Sequence, residues 1–375
     1  MPTKTLPDSP PFHLERYFAQ WEHTVSRQLS ASDCQPLRVT DVLNWSKTPP
    51  EQLLQLRLGY TQSAGDPELR REIATFYPGR KDDDVLVVNA PQEALALALR
   101  AMLQPGDRVI VQTPCYQSLK QIALQIGCQV VEWPVHGDDN GFTLDWNLLH
   151  DLLQEPAAAL ITNFPHNPTG VQPTQEEWQH LVKQVEHYGL RWFSDEIYRG
   201  LAPDDVFELV PAACLTTRAV SLWGLSKSFG LAGLRLGWLV TGDRELRTRI
   251  EEAKDWSSIC SNAVSEFLGL QALRAAKPLL AGNRRIIAQN SQRMASFARR
   301  NPGLVAFSPP VAGPVTMARV LSGNATELAT RVREKGSALL VPSYLFDMPD
   351  RWVRIGLGRA DFDDALRRWE MAMRA

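Results

Sequence analysis

The sequence predicts an α/β fold: a large domain with a mainly parallel sheet between helices, plus a smaller α+β domain. Three observations carry this reading. From Val85 onward, short apolar strands alternate with helix-length amphipathic stretches. At 375 residues the chain is long enough for one large core and a smaller lobe. Beyond Asn301 the pattern changes to short strands mixed with helices, which marks the second lobe.

In order, residues 1–11 read as a loose arm, and 12–29 carries a helix-like apolar stripe of Phe12, Leu14, Tyr17, Phe18, Trp21, Val25 and Leu29. A Gly-bounded loop at 58–65 precedes Asp66-Pro67, an N-cap followed by Pro at the first helical position, for a helix over 68–76. Strands are expected at 85–88, 109–112, 130–133, 158–162 and 191–193, and helices at 92–103, 117–126, 144–153 and 175–187. Strands separated by helices at this spacing pair in parallel through right-handed crossovers. Strands at 219–223 and 236–241 flank Lys227, and helices follow at 243–255, 263–275 and 278–300. The last part places strands at 315–320, 339–341 and 352–355 and helices at 326–335 and 361–373. The division that follows is an N-terminal arm with part of the small domain over 1–45, a large domain over 46–280, and a C-terminal small domain over 281–375.

Composition excludes several functions. A net charge of -2, from 40 basic against 42 acidic residues, leaves no electrostatic footprint for nucleic acid or an anionic membrane. No apolar run reaches bilayer-spanning length and no export leader is legible, so a cytoplasmic protein is expected. The five cysteines, Cys34, Cys115, Cys128, Cys214 and Cys260, form no CxxC pair, which argues against disulfides and a zinc site. No metal is expected. Walker, GxSxG, HExxH and GxGxxG motifs are absent, and His166 reads as a loop filler with solvent contact.

In such sheets the site lies at the carboxyl ends of the strands. Five features fall there. Lys227, among small residues between two buried strands and eight positions before Arg235, is placed where burial frees an amine's lone pair. Asp195 directly follows a buried strand and therefore needs a cationic partner, or else caps the next segment. The turn 163–170, with its prolines and terminal Gly, can aim the Asn167 amide. Tyr116 offers an aromatic face after Pro114. The turn Asn89-Ala90-Pro91-Gln92 opens a helix whose free N–H groups can hold a phosphate.

These residues carry a resemblance. Tyr60 with Gly65 and Leu69-Arg70, Tyr116 after Pro114, Asn167-Pro168-Thr169-Gly170, Asp195 with Tyr198, Ser226-Lys227 with Arg235, and Arg354 together resemble the class I/II aminotransferases. Those are fold-type I enzymes that depend on pyridoxal 5'-phosphate. The resemblance spans about residues 60–354 and is specific for fold and cofactor more than for reaction, because one scaffold hosts many chemistries. It implies that Lys227 forms a Schiff base with the cofactor and shuttles the substrate proton, and that Asp195 pairs with the protonated pyridine nitrogen. It implies that Asn167 and Tyr198 bond the ring's phenolic oxygen, that Tyr116 stacks on the ring, and that Arg235 and Ser226 hold the phosphate with the turn Ala90-Pro91-Gln92. Tyr60 would reach the phosphate of a neighbouring subunit in a homodimer, and Arg354 would take the substrate α-carboxylate bidentately.

Two departures stand out. Gly224 stands where the family usually has a hydroxyl three residues before the lysine, and Pro91 has no N–H to donate. Fewer phosphate hydrogen bonds are expected, with Gln92, Ser226 or water as replacements. The usual Gly-containing substrate loop reads Leu43-Asn44-Trp45-Ser46, with Asn44 the candidate contact. The resulting expectation is amino-group transfer from an α-amino acid to a 2-oxo acid. The alternative is a lyase, cyclase or oxidase using the same cofactor on an amino acid. A regulatory protein on this scaffold would leave the catalytic set idle.

Overall fold

The computed structural model describes residues 10–138 and 141–374. The arm predicted for 1–11 therefore lies, but for its last two residues, outside the described residues. The strands are β1 Arg27–Gln28, β2 Val85–Val88, β3 Arg108–Thr113, β4 Gln129–Asp138, β5 Gly141–Leu144, β6 Ala159–Asn163 and β7 Arg191–Asp195. They continue with β8 Ala219–Gly224, β9 Gly237–Thr241, β10 Val305–Phe307, β11 Val315–Val320, β12 Ala338–Leu339, β13 Val341–Pro342 and β14 Trp352–Gly356.

An eight-stranded sheet in the order β2-β9-β8-β7-β6-β3-β4-β5 forms the large core. β8, β7, β6, β3 and β4 pair in parallel, as the strand-helix alternation predicts. Both faces are covered by helices, so the strands are continuous apolar runs; every residue of β2, β6, β8 and β9 is buried. β9 runs antiparallel to both β8 and β2. The segment joining β8 to β9 contains only the short 3-10 turn Ala232–Leu234, with no helix to cross the sheet and restore a parallel partner. A second sheet, β10-β11-β14-β13, is antiparallel.

The first helices are α1 His13–Trp21, α2 Val39–Ser46, α3 Pro50–Leu54, α4 Pro67–Ala74, α5 Pro91–Met102 and α6 Gln117–Ile126. α4 starts as expected: the Asp66 carboxylate accepts from Glu68 N and Leu69 N at 2.8 and 3.0 Å. The stripe at 12–29 is not one helix. α1 stops at Trp21 because the chain is then captured by the C-terminal lobe, with β1 parallel to β12 and Leu29 N bonded to Leu339 O at 2.9 Å. Strands β5 and β10 are additions to the predicted set. β5 is half-exposed and β10 only three residues long, so neither gives a strong apolar alternation. Among the described residues no helix is long and apolar enough to cross a membrane.

Candidate functional site

The carboxyl ends of β6, β7 and β8, the start of α5 and the face of α1 enclose a cavity of about 630 Å³. Pro91, Gln92, Tyr116, Asn167, Asp195, Tyr198, Ser226, Lys227, Arg235 and Arg354 all line it, from strand ends far apart in sequence. Ala90 is the N-cap residue of α5 and is buried. Two predicted residues are not brought there. Asn44 lies exposed on α2 rather than in a loop, and the cavity is lined instead by Ala31, Ser32 and Asp33. Tyr60 is 93% exposed and is not among the residues that line this cavity.

Lys227 follows the end of β8, and its Nζ donates to Ser32 Oγ at 2.8 Å. Burial lowers its pKa; Asp33 and Glu15 oppose the shift, while Arg354 and Arg235 add to it. Asp195 ends β7. Its Oδ1 accepts from Ile197 N at 3.1 Å, and it has no ion pair among the described residues. Burial pushes this carboxyl up to about 7, against the Ile197 N–H and Lys227. The adjacent Glu196 is spent on structure, accepting from Ser221 Oγ at 2.6 Å and Ala212 N at 2.9 Å. Asp195 alone of the two therefore faces the cavity in need of a cation.

Arg354, on β14, is 1% exposed and lies between the rings of Phe18 and Phe346, at 5.7 and 5.3 Å. Nη1 donates to Asn167 Oδ1 at 3.1 Å and Nη2 to Ser30 O at 2.8 Å, while the buried Nε has no partner among the described residues. The turn holding Asn167 is fixed by Asn167 N donating to Asn163 Oδ1 at 2.8 Å. Tyr198 is fully buried, and burial raises its hydroxyl pKa; Ser32, which also takes the Lys227 proton donor, lowers it. Tyr116 O–H donates to Glu15 Oε1 at 2.8 Å, and its ring centroid is 5.1 Å from that of Phe12.

At the opposite end, Ser226 Oγ is buried without a partner among the described residues, Arg235 is exposed at the rim, and α5 begins with no side-chain cap. The Gln92 side chain is not a free phosphate donor: its Nε2 bonds Ser118 Oγ at 2.7 Å. Gly224 and Pro91, two separate departures in the sequence, are one packing unit. A Cβ at Gly224 would meet Pro91 Cγ, Gly237 Cα and Leu236 O, each at 3.0 Å, and one at Gly237 would meet Pro91 N at 3.1 Å. Gly224 and Gly237 are direct cross-strand partners, so the proline ring sits on a two-glycine platform. Pro91 forgoes no helical bond, since the first turn's N–H groups are unpaired anyway.

We expect Gly224→Ser to destabilise the fold by about 1–3 kcal/mol through this overlap. Adding Pro91→Gly should recover part of the loss and tighten pyridoxal phosphate relative to the single variant. Denaturant unfolding and cofactor titration of both variants check this.

The arrangement fits pyridoxal phosphate. Ser226, Arg235 and the uncapped α5 terminus suit a dianion, Asp195 a ring nitrogen that carries a proton, Tyr116 an aromatic face, and Lys227 a carbonyl. Sequence reasoning missed Ser32, the Asp33–Arg359 ion pair (2.8 Å) and the α1 face bearing Glu15. Only the apolar stripe of that helix was read. His166 is also corrected: it is fully buried, with Nδ1 2.6 Å from Thr169 Oγ1, and burial pushes its pKa down to about 3.

Comparison with known proteins agrees with the geometry. The family described as aminotransferase class I and II matches residues 28–368. Capreomycidine synthase of Streptomyces vinaceus is 29% identical over 306 residues, 81% of this chain and 78% of that protein. An aspartate aminotransferase of Thermotoga maritima is 33% identical over 222 residues, covering 57% of this chain and 58% of that protein. The match to the second relative thus spans less than two thirds of its length. The solved structure of a PLP-dependent cyclase, OrfR, superposes with a TM-score of 0.91 at 28% identity over 100% of both chains. With the cavity, its amine and its unpaired carboxylate in place, the family match makes this chain a member of the class I and II aminotransferases, fold-type I enzymes whose cofactor is pyridoxal 5'-phosphate.

Proposed function

We propose that the protein is an aminotransferase that moves the amino group of an α-amino acid to a 2-oxo acid in two half-reactions. The observation that carries this reading is the convergence of a partly desolvated amine, Lys227, a carboxylate with no ion pair among the described residues, Asp195, and a buried guanidinium, Arg354, in one cavity. When bound, pyridoxal phosphate supplies the electron sink for charge developing at the substrate α-carbon. Asp195 would pair with the protonated ring nitrogen. Arg354, already oriented by Asn167 and Ser30, receives the α-carboxylate with a fork that lysine lacks. Lys227, its charge disfavoured by burial, takes the α-carbon proton and redelivers it; the Ser32 hydroxyl steers the amine. Asn167 and Tyr198 would hydrogen-bond the ring oxygen, and Ser226 and Arg235 would hold the phosphate with the α5 terminus.

A homodimer is part of this proposal, because Tyr60, exposed on its own chain, is free to reach a second copy. Five free cysteines fit a reducing, cytoplasmic setting. The second reading, a cyclase, lyase or oxidase reaction on an amino acid, is favoured by the full-length likeness to a cyclase.

Supplying amino acids with and without a 2-oxo acid separates the two. Transfer predicts an amino product in step with each donor consumed, and no turnover without acceptor. Acceptor-independent turnover that releases ammonia, peroxide or a ring-closed product overturns it.

A further inference from the structure

α1 forms the wall of the cavity opposite the strand ends and is pinned on both sides. His13 N donates to Gln117 Oε1 at 2.9 Å, Tyr17 O–H donates to Leu340 O at 2.8 Å, and Leu14 packs with Val341, Leu345 and Phe346. Glu15, Phe18 and Glu22 fall at i, i+3 and i+7, so one helical stripe presents two carboxylates and a ring to the cavity.

The remaining charges in the cavity have assignments. Asp33 and Arg359 close on each other, with Nη2 2.8 and 3.0 Å from the two carboxylate oxygens. Lys227, Asp195 and Arg235 face the cofactor, and Arg354 awaits an anion through its buried, unpartnered Nε. Arg16, exposed on α1, lines the rim of the cavity, and none of the ion pairs among the described residues joins it to Glu15. Glu22 Oε1 is engaged by Gln28 Nε2 at 3.1 Å. Glu15 is half-buried, and only its Oε1 is used, by the Tyr116 hydroxyl; Oε2 has no protein partner among the described residues.

We propose that Glu15 is the specificity-determining residue for the substrate side chain, and that the site takes an amino acid ending in a cation, a guanidinium or an ammonium. The inference rests on the α-carboxylate lying at Arg354. Phe18, whose ring centroid is 5.7 Å from that guanidinium, is one helical turn from Glu15, so their Cβ atoms are about 5–6 Å apart. A long side chain extending from the anchored α-carbon along this turn meets Glu15 Oε2. A cation there compensates the half-buried carboxylate, a neutral terminus leaves it unpaired, and an acidic one adds repulsion. The rings of Phe12 and Tyr116 beside it add an apolar and quadrupolar face suited to a planar cation.

The test compares L-arginine with its neutral isostere L-citrulline, titrated against wild-type and Glu15→Gln holoenzyme, with dissociation constants read from the cofactor absorbance and from calorimetry. Wild type is expected to prefer L-arginine by about tenfold or more. Glu15→Gln should bring the ratio near unity, while Glu15→Asp, which keeps the charge, restores a preference. Equal binding of both ligands to wild type, or a preference that survives Glu15→Gln, overturns the inference. Because the ratio is read without turnover, it stands apart from the transferase reading, which fails instead if no donor passes its amino group to any 2-oxo acid.

Discussion

Lys227→Ala is expected to bind pyridoxal phosphate without a covalent link and to lose turnover by roughly 10⁴-fold or more, since the attaching amine and the proton carrier are the same atom. Borohydride reduction followed by mass measurement of the intact chain checks the link. Wild type should gain the cofactor's mass and the variant should not. The variant should still fold, because alanine fits within the space of the lysine it replaces and the side-chain bond lost is the one to Ser32 Oγ. If both proteins retained the same reducible mass, another amine would be the attachment point and the cavity assignment would fail.

Asp195→Asn should lower turnover by about 10²–10³-fold, the scale on which one preorganised charge acts in a closed site. It should also change the pH dependence of stability, with opposite consequences for the free and loaded protein. Burial raises this carboxyl from 3.8 to about 7, so the native state holds its proton more tightly than the unfolded chain does. The resulting stabilisation is fully present below pH 3.8 and is lost as pH rises through 7. At 1.36 kcal/mol per unit the loss is at most about 4 kcal/mol. Without cofactor, wild type should therefore lose melting temperature between pH 4 and 7 relative to Asp195→Asn. His166, held neutral by burial, acts in the opposite sense as pH falls, and the comparison with the variant removes its contribution. With pyridoxal phosphate bound, the ring's proton supplies the missing cation and wild type should be the more stable of the two. A free wild-type protein that melts in parallel with the variant across this range would contradict the unpaired state of Asp195.

The parallel core was legible because buried strands need unbroken apolar runs and crossover helices need an amphipathic period. β3, β6, β7 and β8 show the first, and α6 shows the second. The polar lining of the cavity was legible for a related reason: Asp195 and Asn167 are polar residues at positions where burial makes them costly, and Lys227 lines the same cavity. The direction of β9 was not legible, since a buried strand has the same pattern in either orientation. Asn44 shows the opposite failure. Its position relative to the N-terminus suggested a substrate contact, but Asp41, bonded to Arg38 N at 2.8 Å, caps a helix there and turns Asn44 outward. Glu15 and Ser32 reach the site only through the docking of α1 and β1 on residues 337–341, a contact with no local signature.

The pairing of β1 with β12 also sets the order in which the site can be completed. Ser30 and Arg354 are 324 positions apart, and Lys227 and Ser32 are 195 apart, so these two bonds are among the most non-local contacts of the described residues. Closing such loops is slow compared with forming the central parallel strands. During vectorial synthesis the cavity-lining residues Asp195, Lys227 and Arg235 emerge close together, whereas Arg354 meets Ser30 only after residue 354 has been made. Until residue 354 is made, neither the Arg354–Ser30 nor the Arg354–Asn167 bond can form, so the wall of the cavity built by β14 is the last to be completed.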